Sequence, residues 1–381
     1  MRHRSRSHLA FARATCPIFA SVGKTDPLSD TRCQKCFIGR ARKAHVARFY
    51  RDGESGCAAG HFYGYPWAIV FLQTPILPSI QSPLGALPSR FRRSRVLIVG
   101  CGDVGMRVAQ LLSPRVRVVA LTSSAQRVPI FRSKGILPLS GNLDQGSQLR
   151  RVAGLAQRVL YLAPPAPIGQ SDGRLVTFTQ AARLRSKCKA LVYASTSGVY
   201  GDCQGAWVTE SAAIAPVTPR ALRRAHAEAT ARFIGRSAGV RTSVLRIPGI
   251  YAKDREGGTP LSRLQKGSPV LQEDEDVYTN HIHADDLARA CFLALWRGKA
   301  QRSYNINDDT DMKMGNYLEN AADIYGLPPP PRMSRDAMEK EVSAMQLSFM
   351  SESRRLVNQR MKSELGLRLL YPTALQGLAA P

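Results

Sequence analysis

The sequence predicts an α/β protein built on a doubly wound parallel sheet. Two observations carry this expectation. From Arg95 onward, short apolar runs alternate with amphipathic stretches of helical period. The first such unit, "RVLIVGCGDVGMRVAQLL", sets a G-x-G-x-x-G pattern between its strand and its helix. A length of 381 residues with 44% hydrophobic content is enough to bury one large core or two modest ones.

The stretch before this alternation has a different character. Residues 1–94 carry 15 basic and 4 acidic side chains, in patches such as "RHRSRS" and "GRARKAHVARFYR" broken by Pro and Gly, with no sustained period. We read it as a basic, mostly disordered extension, or as sequence upstream of the true translation start. Its acid-poor beginning resembles a targeting segment, but Arg13 and Pro17 interrupt the apolar run that a signal peptide would need. The apolar "WAIVFLQTPILPSI" holds two prolines and falls short of the roughly 20 residues that span a bilayer, so no membrane partner is expected. Cys33 and Cys36 form a lone C-x-x-C, whereas a zinc site needs a second pair, so no metal is expected. Cys101, Cys188, Cys203 and Cys291 read as free thiols of a reducing compartment, which points to the cytoplasm.

The net charge of +26 suits anionic partners such as phosphates and nucleotides. Its basic residues are spread over helices without interleaved aromatics or a zinc, helix-turn-helix or RNA-binding signature, so no specific nucleic acid is expected.

In the first unit, Val96 to Val99 form a buried strand. Gly100 allows the tight turn, Gly102 lets the backbone approach a pyrophosphate, and Gly105 lets helix and strand pack closely. Asp103 and Val104 complete this candidate dinucleotide loop. The second strand, "RVRVVALTSS", lacks the Asp or Glu that holds the ribose hydroxyls of NAD; Thr122, Ser123, Ser124 and Arg127 stand there instead. These groups suit a 2′-phosphate, so NADP(H) is favoured over NAD(H). Arg127 is alternatively a solvated charge at a helix start.

The alternation continues with "GILPLSGNL", which ends in Asn142 and Leu143, and "RVLYLAPPAP", which turns at Ala163 and Pro164. A helix around Val176 to Arg185 follows, and then "ALVYASTSGVYG", a strand ending in Ser195, Thr196 and Ser197 with Tyr200 just beyond. In such sheets ligands bind at the carboxyl ends of the strands, where these side chains fall.

At this point the chain resembles an extended short-chain dehydrogenase/reductase of the NAD-dependent epimerase/dehydratase type. The matching pieces are "VLIVGCGDVG", "LVYASTSGVYG", "LRIPGIYA", "NHIHADDLARA" and "SESRRLVNQRMKSELGLRLLYPTALQGL", in the family's order. The resemblance implies a Rossmann domain over residues 95–250 that binds NAD(P) and a smaller C-terminal substrate domain over 251–379. It implies a small-molecule substrate, sugar-nucleotide-like or a small carbonyl or hydroxyl compound. It further implies that Ala163 and Pro164 border the nicotinamide, and that Thr196 polarises a substrate hydroxyl or carbonyl. A homodimer packed through a helix pair is common in that family.

One departure stands out. The family's Tyr-x-x-x-Lys helix supplies an acid/base oxygen and a lysine that lowers its pKa. By spacing, the tyrosine belongs at Arg220 or Ala221, and none of the twelve tyrosines has a lysine four residues later. Arg220 and Arg224 occupy one helical face there. Arginine stays protonated and cannot shuttle a proton, although Arg224 suits the lysine's place against ribose or phosphate. The bland alternative is a solvated face. This is an atypical member, and a non-catalytic dinucleotide sensor on the same fold is the alternative to an enzyme.

The remaining motifs weigh less. Tyr200, Tyr251, His226, His281 and His283 are other proton-transfer candidates by type. His281 and His283 with Asp285 and Asp286 read as a strand entering a capped helix rather than a metal site, and Glu273 to Asp276 reads as a solvated loop. "GQSDG" fits G-x-S-x-G, but "PPAPI" separates Ser171 from its strand, so no nucleophile elbow is expected. Pro328 to Pro331 reads as a stiff linker. Met333 to Met350 looks helical, with Met338, Met345 and Met350 as core filling.

Overall fold

Seven parallel strands form the central sheet of the computed structural model, which describes residues 94–380 apart from 184–186, 343–346 and 349. The expectations for residues 1–93, including the basic extension, the C-x-x-C and the apolar stretch, lie outside the described residues, as does Met345.

The sheet comprises β1 (Arg95–Val99), β2 (Arg117–Thr122), β3 (Leu137–Ser140), β4 (Arg158–Tyr161), β5 (Ala190–Thr196), β7 (Arg241–Ile247) and β12 (Arg302–Asn305), in the spatial order β12-β7-β5-β4-β1-β2-β3. Every pairing within it is parallel. Both faces are covered, and this is why β1 reads as an unbroken apolar run with Val96, Leu97, Ile98 and Val99 at most 1% exposed. The order reverses between β1 and β4, so the loops after those two strands face a shared crevice.

Helices α1 (Asp103–Leu112), α2 (Arg127–Ser133) and α6 (Ala284–Arg297) pack on one face, where Val108, Leu112, Phe131, Leu287, Cys291 and Leu295 share a core. Helices α3 (Gly173–Arg183) and α4 (Pro219–Ala238) cover the other with Leu175, Phe178, Ala227 and Ala231. The boundaries of α4 follow from its sequence. Thr218 accepts a hydrogen bond from the Ala221 N–H, Pro219 fills the first turn, and Gly239 ends the helix at φ +62°.

Short strand pairs lie beyond the sheet: β6 (Trp207–Val208) with β15 (Arg355–Leu356), β8 (Gly249–Tyr251) with β11 (His281–His283), β9 (Val270–Leu271) with β14 (Arg332–Met333), and β10 (Tyr278–Thr279) with β13 (Met312–Lys313). A separate core of Tyr251, Leu264, Val270, Tyr317, Leu318 and Leu378 joins them to α5 (Leu261–Gln265), α7 (Met314–Tyr325) and α9 (Ala374–Ala379). The C-terminal half also returns to the main sheet, since β12 pairs with β7 and α6 packs beside α1.

In the Met-rich region α8 covers Arg335–Glu341, Leu347, Ser348 and Met350 are helical as well, and Met338 and Met350 lie in the core. One local expectation changes. Asp276 is not solvated: it accepts the Val277 and Gly315 N–H groups at 2.8 Å each and is buried. Among the described residues no helix is long and apolar enough to cross a membrane.

Candidate functional site

The glycine loop after β1 has the shape its spacing predicts. Gly100 sits at φ +82°, and a Cβ there would stand 2.4 Å from the Ala163 amide nitrogen. Only glycine lets the β1 and β4 loops approach this closely. A Cβ on Gly102 would meet nothing within 4 Å, so this side of the loop is open space at the start of α1. Gly102 caps α1 without a side-chain acceptor, leaving first-turn N–H groups directed at that opening. At Gly105 a Cβ would press on the Cys101 sulfur at 3.3 Å, so the third glycine serves packing.

Charged groups brace the loop from outside. Arg107 reaches Asp103 at 3.2 Å and Asp254 and Asp285 at 2.6 Å each, and Arg255 reaches the other Asp103 oxygen at 3.1 Å. The Asp103 side chain is thus tied to the C-terminal half; its place in the site is through the backbone of α1, beside Val104.

At the tip of β2, Thr122 Oγ1 accepts the Ser124 N–H at 3.1 Å, and Ser123 is exposed. The Arg127 guanidinium lies 5.2 Å from the centre of the Phe131 ring. Burial pushes the nearby Cys101 thiol up to about 11, and the Arg127 charge opposes that shift. Asn142 holds the next loop by accepting the Asp144 N–H at 3.0 Å, while Leu143 packs on the core. Arg174 clasps Asp144 through two 2.8 Å bonds and donates to the Pro164 carbonyl at 3.3 Å, linking the loops after β3 and β4. Ala163 is buried and Pro164 exposed, at the rim of the crevice.

The hydroxyl cluster at the end of β5 divides by burial. Ser195 donates to Glu228 Oε1 at 2.6 Å, and Glu228 is fully buried against Arg246 at 2.9 Å and Arg232 at 3.2 Å. Ser197 is buried as well. Tyr200 donates to Asn305 Oδ1 at 2.7 Å in the interior, so it anchors the loop to β12 rather than facing the crevice. Thr196 is left as the partly exposed hydroxyl, accepting the Gly198 N–H at 3.3 Å and no other hydrogen bond among the described residues.

The arginines standing where the family places tyrosine and lysine are not equivalent. Arg224 Nη1 donates to the Ala194 carbonyl at 2.7 Å and to the Tyr193 hydroxyl at 3.1 Å, so its guanidinium is pinned to the strand that ends in Thr196. Arg220, one turn earlier, is exposed; burial of part of its side chain and the neighbouring Arg224 lower its pKa, and Glu352 opposes this. Glu352 comes from the "SESRR" segment, is held by Arg354 at 2.8 Å, and Arg354 also grips the Gly201 carbonyl at 2.6 Å. A Cβ placed on Gly198 would lie 3.7 Å from Thr196 Oγ1 and 3.9 Å from Glu352 Oε2, so hydroxyl and carboxylate border one space.

Sequence reasoning missed Glu352, Arg354 and Asp172. Asp172 is fully buried, donates its N–H to His226 Nδ1 at 3.3 Å, and accepts the Leu175 N–H at 3.1 Å. Burial raises its carboxyl pKa, against the Leu175 bond and the Arg224 charge. A signal existed for Glu352: it is an acidic residue in a basic, family-matching segment. None existed for its place beside Thr196, more than 150 positions away.

The histidine pair serves structure. His283 caps α6 by accepting the Asp285 N–H at 3.2 Å, and Asp286 accepts the Leu370 and Tyr371 N–H groups. His281 stacks on Tyr317 with ring centres 4.2 Å apart, and burial lowers its pKa to about 4. Among the described residues no group of three or more His, Cys, Asp or Glu gathers as a metal site.

Comparison with known proteins agrees with this architecture. A model of the NAD dependent epimerase/dehydratase family matches residues 96–307. A curated relative, a trifunctional UDP-glucose 4,6-dehydratase, 3,5-epimerase and 4-keto-L-rhamnose reductase of Arabidopsis thaliana, is 20% identical over 190 residues, covering 45% of this chain and 29% of its own length. The chain therefore spans less than a third of that relative. A functionally unknown conserved protein from Silicibacter pomeroyi is similar with a TM-score of 0.64 and 27% identity, over 75% of this chain and 97% of that one. The dTDP-glucose 4,6-dehydratase of Streptomyces venezuelae, solved with NAD, shares the fold with a TM-score of 0.61 and 22% identity, over 75% and 94%. The UDP-glucose 4-epimerase of Thermotoga maritima, solved with UDP-glucose, does so with 0.61 and 18%, over 75% and 96%. With a seven-stranded parallel sheet, a glycine loop at its switch point and a family match over more than half its length, this chain belongs to the NAD dependent epimerase/dehydratase family.

Proposed function

We propose that the chain binds a nicotinamide dinucleotide on the β1–α1 loop and uses it on a hydroxyl or carbonyl carbon of a small, sugar-nucleotide-like substrate at Thr196. The observation that carries this reading is the contrast within the glycine loop. Gly100 is packed against Ala163, whereas the space over Gly102 is open at a helix start, which suits a pyrophosphate. When bound, such a cofactor supplies hydride acceptance or donation. The chain's own residues then do the rest. Thr196 hydrogen-bonds the reacting oxygen, Ala163 and Pro164 wall the crevice, and Arg224, in the lysine's place, meets ribose hydroxyls or phosphate. In this reading residues 95–250 hold the cofactor and residues 251–379 supply the substrate side.

NADP(H) is the favoured form, because the β2 tip offers Ser123 and Arg127 and no carboxylate. The same reading includes the cytoplasm as compartment and a homodimer as assembly. A second reading, a dinucleotide sensor without turnover, is favoured by Arg220 and Arg224 at the tyrosine and lysine positions.

Fluorescence titration of the full chain with NADPH and NADH at two salt concentrations is the test. Saturable binding that survives the higher salt and is abolished in a folded Gly102→Val variant supports the dinucleotide site. Absence of binding in the parent protein overturns it. Binding without turnover on a substrate panel selects the sensor.

A further inference from the structure

The turn at residues 253–258, just after β8, is closed tightly on itself and tied to α1. Arg255 donates its N–H to the Ala252 carbonyl at 3.3 Å, and its own carbonyl accepts the Gly258 N–H at 2.9 Å. A Cβ on Gly258 would stand 2.4 Å from the Ala252 carbonyl oxygen and 2.7 Å from the Arg255 Cβ, so glycine lets the turn close this far. Closure brings the Asp254 carboxylate to Arg107 of α1 at 2.6 Å, and Arg255 to Asp103, the first residue of α1, at 3.1 Å. Both contacts run from the C-terminal half to the helix whose first turn faces the opening over Gly102.

The two arginines of this cluster are used differently. Arg107 contacts Asp103, Asp254 and Asp285, and its side chain is only 14% exposed. Arg255 contacts Asp103 alone, through Nη1, and its side chain is 30% exposed. Among the described residues its Nε and Nη2 donate no hydrogen bond.

We propose that Arg255 is a pyrophosphate ligand supplied by the C-terminal half, and that the dinucleotide fastens the turn at residues 253–258 to α1. The inference rests on the reading of the β1–α1 loop as the dinucleotide site. A guanidinium is a planar fork of donors, so Nη1 keeps Asp103 while the free edge takes a phosphate oxygen. The backbone N–H groups of α1 hold the phosphate from one side, and Arg255 holds it from the other. Charge points the same way. Three carboxylates already outnumber two guanidinium groups at the start of α1, so a further anion there depends on Arg255 to offset its repulsion. Cofactor binding thereby steadies the segment that leads from β8 into the C-terminal half.

The experiment titrates the full chain and three variants, Arg255→Gln, Arg255→Lys and Lys253→Gln, with NADPH and with NADH. It also follows hydrogen–deuterium exchange of residues 252–258 with and without saturating NADPH. Arg255→Gln is expected to weaken both dinucleotides about 10-fold, the loss of one charge-assisted contact, and by the same factor because the pyrophosphate is common to them. Arg255→Lys is expected to recover part of that loss. Lys253→Gln removes the same charge from the same turn, where Lys253 donates to the Ala380 carbonyl. It is expected to stay within about twofold of the parent, separating a direct contact from the general attraction of a cationic protein. NADPH is expected to slow exchange of residues 252–258 in the parent and to leave it unchanged in Arg255→Gln, a difference that a purely structural pair with Asp103 would not produce. A loss below about twofold in Arg255→Gln, a loss confined to NADPH, or exchange that saturating NADPH does not slow in the parent overturns the proposal. Failure of NADPH to bind the parent chain overturns the underlying dinucleotide reading instead.

Discussion

Replacing Glu228 with Gln probes the support beneath Thr196. The carboxylate is fully buried, takes two bonds from Arg246 at 3.2 and 2.9 Å, one from Arg232 at 3.2 Å and one from Ser195 at 2.6 Å. Arg246 is itself only 3% exposed, so Gln would leave its charge in the interior without a counter-ion. Breaking one side of a buried pair costs about 3–5 kcal/mol. That is a large part of the roughly 5–15 kcal/mol by which a folded protein is stable. At about 2 °C per kcal/mol for a domain of this size, Tm falls by roughly 6–10 °C. The assay is thermal and urea unfolding of the parent, Glu228→Gln, Ser195→Ala and the double variant. The two losses are expected to be non-additive, because both substitutions act on one network. A loss below about 1 kcal/mol, typical of an exposed pair, would refute the claim that water is excluded from this cluster.

Other expectations follow from the same geometry. Gly100→Ala forces a side chain into a left-handed backbone and against Ala163, costing about 2–5 kcal/mol by urea unfolding; a neutral effect would show that the two loops are not in contact. Thr196→Ala lowers turnover about 100-fold while NADPH affinity stays within about twofold, whereas Ser195→Ala acts on stability, by about 1.5–3 kcal/mol; an unchanged rate in Thr196→Ala sinks the site assignment. Asp308 is buried, which pushes its carboxyl up to about 7 despite the Thr310 N–H bond. Between the unfolded value of 3.8 and about 7 the native state therefore holds a proton that the unfolded chain has lost, and stability falls as pH rises through that window. Asp308→Asn is expected to remove up to about 3 kcal/mol of the difference between pH 5 and pH 8, read from urea midpoints; an unchanged pH profile would refute the buried, neutral acid.

Some of this protein is decided by nearest neighbours along the chain. The parallel sheet follows from apolar runs too continuous for a half-exposed strand, and the turn of the glycine loop from φ +82° at Gly100, which local backbone sterics favour for glycine. The caps of α4 at Thr218 and Gly239 are likewise local events. Which hydroxyl faces the crevice is not local. Ser195, Thr196, Ser197 and Tyr200 are alike in sequence, and Glu228 and Asn305, 33 and 105 positions away, draw Ser195 and Tyr200 inward. Asp276 looked solvated because its partner N–H group on Gly315 lies 39 positions on, on the far side of a strand pair. Glu352 joins Thr196 only because β15 docks on β6 and brings the "SESRR" segment over the end of β5. Spacing and propensity fix what a residue does with neighbours a turn or a strand away. Burial and charge pairing between distant segments exist only once the chain has closed on itself, and they decided which side chains form this site.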